Sequence, residues 1–105
     1  FREAPVFDEK AQRKFLVPAA AAPLRALAEQ VEGLEDFRAA EIEKVVTAWL
    51  ESSGLALKEV AQPARVALTG RSASPGLFEV MEILGRERSL ARLRAGALLA
   101  EQANG

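Results

Sequence analysis

Between residues 63 and 94, proline and glycine recur so closely that nothing longer than a short helix fits between them: Pro63, Gly70, Pro75, Gly76 and Gly85. Proline presets the helical φ of a first turn, and glycine accepts the left-handed backbone that closes a last one. The spacing predicts a helix over 63–69, a second beginning at Pro75 and closed by Gly85, and a third from Arg86 to about residue 100. Apolar residues keep helical register inside each piece. Leu77, Val80, Met81 and Leu84 make one inward face, and Leu90, Leu93, Ala97 and Leu98 make the next. A chain cut this way presents several helix ends at its surface, each with backbone groups that lack an intrahelical partner.

The first 62 residues carry the same period. Asp8 is a candidate N-cap for a helix reaching Leu16, with Ala11 and Phe15 inward and Pro18 beyond its end. An alanine run, 19–22, is reset by Pro23. Leu24, Leu27, Ala28 and Val31 then mark a helix that Gly33 stops. Glu35 or Asp36 is expected to cap the following helix, 39–53, whose apolar face is Ile42, Val45, Val46, Trp49 and Leu50 and which Gly54 ends. Trp49 falls in register with that face, so it is read as core and not as a stacking platform. No run of strand length alternates, and the expected fold is all-α, a compact multihelical domain of short helices. Its core is expected around Leu27, Val46, Trp49, Leu50, Leu68, Leu84, Leu90 and Leu93.

Composition narrows the chemistry. The 105 residues include no histidine and no cysteine, which removes the usual general base, imidazole and thiolate metal ligands, and every Ser-His or Cys-His arrangement. No catalytic residue and no metal site is therefore assigned. Glu41, Glu43 and Glu51 belong to a wet helix face without a partner base. There is no apolar run of transmembrane length and no signal-peptide pattern, so a soluble cytoplasmic domain is expected, without a membrane partner and monomeric. The start at Phe1 reads as an internal boundary of a longer chain.

Net charge is −1, which argues against a protein held to nucleic acid mainly by phosphate contacts. The distribution is uneven. Residues 1–62 carry 8 Lys/Arg against 11 Asp/Glu, whereas residues 63–105 carry 6 arginines against 4 glutamates. Arginine both pairs with phosphate and stacks on bases. The turn Ser74-Pro75-Gly76 opens a helix, where free N–H groups and the dipole favour an anion, and Leu77 and Phe78 follow at once. With Arg65 and Arg71 nearby, that combination suits an unstacked base better than a metabolite. On its own, each arginine could equally be solvated surface, and Arg65 could satisfy helix-end carbonyls.

Three motifs add a resemblance. Gln62-Pro63-x-Arg65-Val66-Ala67-Leu68-Thr69-Gly70-Arg71, then Ser74-Pro75-Gly76-Leu77-Phe78-Glu79-Val80, then Leu84-Gly85-x-Glu87-Arg88 with Ala91-Arg92-Leu93, together resemble the C-terminal anticodon-binding region of bacterial glutamyl-tRNA synthetase. Residues 8–11 and 14–16 fit more loosely, and Arg86 stands where that family often has lysine. The resemblance implies that residues 1–105 are the C-terminal, tRNA-binding part of a class I aminoacyl-tRNA synthetase, a glutamate–tRNA ligase. It implies the anticodon loop of tRNA(Glu) as partner, read by Arg65, Arg71, Ser74, Pro75, Gly76, Leu77 and Phe78. The parent would use ATP and Mg in a catalytic domain of the same chain that these residues do not include. This part alone would bind no cofactor and would be inactive. A helical protein-interaction bundle without nucleic-acid binding is the competing expectation.

Overall fold

The computed structural model describes residues 9–70 and 76–102. Six helices follow one another: α1 (Glu9–Phe15), α2 (Pro18–Glu32), α3 (Ala39–Ser53), α4 (Leu57–Thr69), α5 (Leu77–Leu84) and α6 (Arg86–Gln102). There is no strand among the described residues, as the periodicity requires. The expected cap Asp8 lies outside them.

Two helices start earlier than their prolines indicate. Pro18 is the first residue of α2, and the helix runs unbroken through the alanines and Pro23 instead of being reset there. Pro23 has no N–H to give the Ala19 carbonyl, and Ala19 is exposed, so water can take the place of the missing donor. Likewise α4 begins at Leu57 and contains Pro63, which is buried inside it. The start is set by Glu59, whose carboxylate accepts the Ala56 N–H at 2.9 Å. Ala56 has no side-chain acceptor to return the bond, so only half of a capping box forms.

At the start of α3 neither Glu35 nor Asp36 caps the helix. Asp36 is clasped by the Arg38 guanidinium at 2.6–2.9 Å, and hydrogen bonding from Arg38 holds its carboxyl below the usual carboxylate range. The cap comes from α5: Glu82 Oε1 accepts the Ala39 N–H at 2.6 Å. An acidic group there also complements the dipole.

α2 and α6 form the central pair, with α4 laid against both, α3 bridging α2 and α5, and α1 resting on α4. Ion pairs Arg25–Glu101 and Arg94–Glu32 show that α2 and α6 run antiparallel. Both are exposed and contribute little. The core is Leu24, Leu27, Val31, Ile42, Val46, Val60, Val66, Leu68, Met81 and Leu93, each at 0% exposure. Leu90 joins it, while Trp49, Leu50 and Leu84 pack against its edge, half-buried. Leu98 was expected inside and is 51% exposed. The buried stripe of α6 is Ser89, Leu90, Leu93, Gly96, Ala97 and Ala100, and Leu98 lies one position, about 100° of rotation, off it.

Candidate functional site

The last two turns of α4 carry Arg65. Its residue is half-buried, and its Nε is sealed from solvent with no hydrogen-bond partner among the described residues. A buried N–H left this way is costly, and it marks the side chain as something other than a satisfied surface arginine. The expectation that Arg65 satisfies helix-end carbonyls is met instead by another residue. Arg92 Nη1 donates to the Leu68 carbonyl at 2.8 Å, reaching across from α6 to the end of α4. Burial of that guanidinium, with the neighbouring Arg88 charge second, lowers the Arg92 pKa from arginine's ordinary value.

Two further hydrogen bonds close the α4 terminus. The Thr69 hydroxyl donates to the Arg65 carbonyl at 2.7 Å, and the Gly70 N–H donates to Val66 at 2.7 Å. Gly70 holds φ 83, a left-handed conformation that side chains resist. Arg71, Ser74 and Pro75, three of the predicted contact residues, lie outside the described residues.

The other side of the site is the start of α5. Gly76 is its N-cap, with φ −50 and ψ 142, and its carbonyl accepts the Val80 N–H at 3.0 Å. The first-turn amides of Leu77, Phe78 and Glu79 have no intrahelical acceptor. The Glu79 carboxylate folds back to the space a Cβ would occupy on Gly76. Leu77, ambiguous by sequence, packs inward at 4% exposure, whereas Phe78 lies half-buried against the edge of the core. Of the apolar pair, Phe78 is thus the one with ring surface left to offer.

α4 and α5 pack against each other, so Arg65 and Gly76–Phe78 belong to adjoining elements. The far end of α5 is fixed as firmly. Gly85 takes φ 85 and ψ 165. The Gly85 N–H at 2.9 Å and the buried Ser89 hydroxyl at 3.2 Å both donate to the Met81 carbonyl. Arg86 Nη1 donates to the Leu34 carbonyl at 2.9 Å. Ser89, Arg92 and Glu82 are supporting groups that periodicity does not single out. The available signal was only that Ser89 lies in the apolar stripe of α6. Trp49, on α3, is half-buried against the edge of the core, short of the full burial its register indicates.

Among the described residues there is no group of three acidic or histidine side chains that could hold a metal ion. No described helix is long and apolar enough to cross a membrane. On α4 and the adjoining α5, the described residues thus bring polar and aromatic groups, Arg65 and Phe78 among them, to neighbouring helices.

Comparison with known proteins agrees. The family described as anticodon binding domain matches residues 1–97. Glutamate–tRNA ligase 1 of Syntrophus aciditrophicus is 42% identical over 94 residues, covering 90% of this chain and 20% of that protein. Glutamate–tRNA ligase 2 of a Chelativorans strain is 47% identical over 91 residues, covering 87% and 19%. A crystal structure of a glutamate tRNA ligase from Elizabethkingia meningosepticum, in complex with its amino acid, superimposes with a TM-score of 0.82 at 32% identity, covering 90% of this chain and 19% of that one. The chain thus spans about a fifth of the length of the curated relatives it matches. With its helices, its capped turns and its match through residue 97, the chain belongs to the anticodon-binding domain family.

Proposed function

We propose that this chain reads the anticodon loop of tRNA(Glu) as the C-terminal part, residues 1–105, of a cytoplasmic, monomeric glutamate–tRNA ligase. The observation that carries the reading is the family match across nearly the whole chain, including both helix ends of the site. Geometry supports it. Arg65 is half-buried with an unpartnered Nε, and its planar guanidinium suits hydrogen bonding to or stacking on an extruded base. First-turn amides of α5, with Ser74, Pro75 and Gly76, contact base edges and phosphate. Phe78, preceded in sequence by the inward Leu77, supplies the apolar surface on which a base rests, and Arg71 contributes a further cation.

The ligase reaction consumes ATP and glutamate with magnesium. The residues described here do not fit such a metal, having no carboxylate cluster for it, and no step of that chemistry passes through them. The chain's own contribution is selection: it holds the loop in one register and rejects loops whose bases cannot meet Arg65 and Phe78.

Titration of the chain with an anticodon stem-loop of tRNA(Glu) and with a scrambled loop of equal length tests this. A preference for the cognate loop of roughly tenfold or more is expected, the range given by one or two base contacts. Equal affinity for both would return the chain to the competing class of helical interaction bundles.

A further inference from the structure

α4 is held along α6 at two adjacent points. Gly96 faces Ala67 so closely that a Cβ built on it would stand 2.5 Å from the Ala67 Cβ, and one turn earlier on α6 Arg92 Nη1 binds the Leu68 carbonyl at 2.8 Å. Leu68 is among the last four residues of α4, whose carbonyls have no intrahelical donor. A cation there satisfies the group and complements the dipole. Arg65 lies within one turn of that carbonyl, and its own carbonyl holds the Thr69 hydroxyl.

We propose that Arg92 is a positioning residue for Arg65: by pinning the last turn of α4 to α6 it sets where the Arg65 guanidinium stands, and so governs discrimination between loops without touching RNA. This rests on the anticodon-reading function proposed above. A surface arginine acting only through its charge would strengthen every RNA alike. Arg92 instead is a half-buried residue whose Nη1 is committed to a backbone carbonyl of α4.

The test compares Arg92→Gln, Arg92→Lys and Arg94→Gln in the 105-residue chain. Arg94 is the charge control, since it lies on the same helix and pairs at 3.0 Å with exposed Glu32. Affinities for the cognate and scrambled stem-loops are measured with each variant, together with its melting temperature and the exchange rate of the Gly70 amide. Arg94→Gln should weaken both loops by the same small factor and leave their ratio intact. Arg92→Gln should lower the ratio by roughly tenfold, while the scrambled loop loses no more than it does with Arg94→Gln. Gly70 exchange should rise by about tenfold in Arg92→Gln alone. Arg92→Lys, which keeps the charge and one donor, should fall between, and it carries the ratio test if Arg92→Gln does not fold. An unchanged ratio in a folded Arg92 variant, or equal loss for both loops, overturns the inference alone. A wild-type chain without preference overturns the anticodon-reading proposal and this one with it.

Discussion

Gly96 shows how one missing side chain sets the distance between two helices. Its hypothetical Cβ would stand 2.5 Å from the Ala67 Cβ and 3.3 Å from the Ala67 Cα, well inside the 3.5–4.0 Å of ordinary carbon contact. Gly96→Ala should gain about 1 kcal/mol of helix propensity. It must then push α4 from α6 against backbone that has nowhere to rotate, a cost of about 1–3 kcal/mol that spreads along the seam. Overpacking is expected to win, and Gly96→Val should be worse; a raised melting temperature for Gly96→Ala would contradict the close packing. The binding residues divide in the same way. Phe78→Ala should cost about 1–3 kcal/mol of stem-loop affinity with little effect on folding, because its ring is only half-buried. Arg65→Ala should cost a similar amount, about 1–3 kcal/mol, and flatten the difference between loops. If both variants stay folded and bind the cognate loop as the parent does, the site has been placed wrongly. Leu77→Ala is no probe of binding. A side chain at 4% exposure is core, and its truncation should lower stability by about 2–5 kcal/mol.

Among the elements, the α5–α6 joint depends on a single backbone conformation. Gly85 at φ 85, ψ 165 occupies a region that is essentially closed to other residues. Gly85→Ala should therefore destabilise the domain by about 1–3 kcal/mol, although nothing stands within 4 Å of the added Cβ. Ser89→Ala should cost less, about 0.5–1.5 kcal/mol, since the Gly85 N–H still satisfies the Met81 carbonyl. Chemical denaturation of both variants checks the order; a larger loss for Ser89→Ala would mean that the hydroxyl, not the turn, holds the joint. This scale also shows what local pattern can and cannot reveal. Gly54, Gly70 and Gly85 close helices where their spacing indicates, because a positive φ is a local requirement. The prolines were less legible. Pro23 and Pro63 sit inside helices whose starts are set elsewhere, by Pro18 at the first position of α2 and by Glu59 on the Ala56 amide. Least legible were the partners that arrive from afar: Glu82 caps α3 from 43 residues away and Arg92 reaches Leu68 across 24. No window of sequence holds such pairs together. For the proposed site, the motif supplies Arg65 and Gly76–Phe78 as candidates. Only three-dimensional packing separated inward Leu77 from half-buried Phe78 and showed that Arg92, not Arg65, satisfies the helix-end carbonyl.

For the whole molecule, charge decides how an RNA loop would be held under the proposed function. The net charge is −1, and the 6 arginines after residue 62 exceed the 4 glutamates by only two. Several guanidinium groups already have partners within the fold: Arg86 on the Leu34 carbonyl, Arg92 on the Leu68 carbonyl and Arg94 on Glu32. Binding dominated by released counterions needs many phosphate contacts, and this surface supplies few. With about two such contacts to a single-stranded loop, log K against log salt should fall with a slope of roughly −1.4, so that raising salt from about 50 to about 200 mM costs about sevenfold in affinity. A protein gripping about 6–10 phosphates would lose about a thousandfold or more over the same range. The measurement is a salt series on the cognate stem-loop with the unmodified chain. A slope near −5 would show a phosphate clamp in place of the few directed contacts at Arg65 and Phe78. A slope near the shallow value, combined with a cognate preference that survives added salt, is what a site that selects by hydrogen bonding and stacking must give, because neither contact is much weakened by screening.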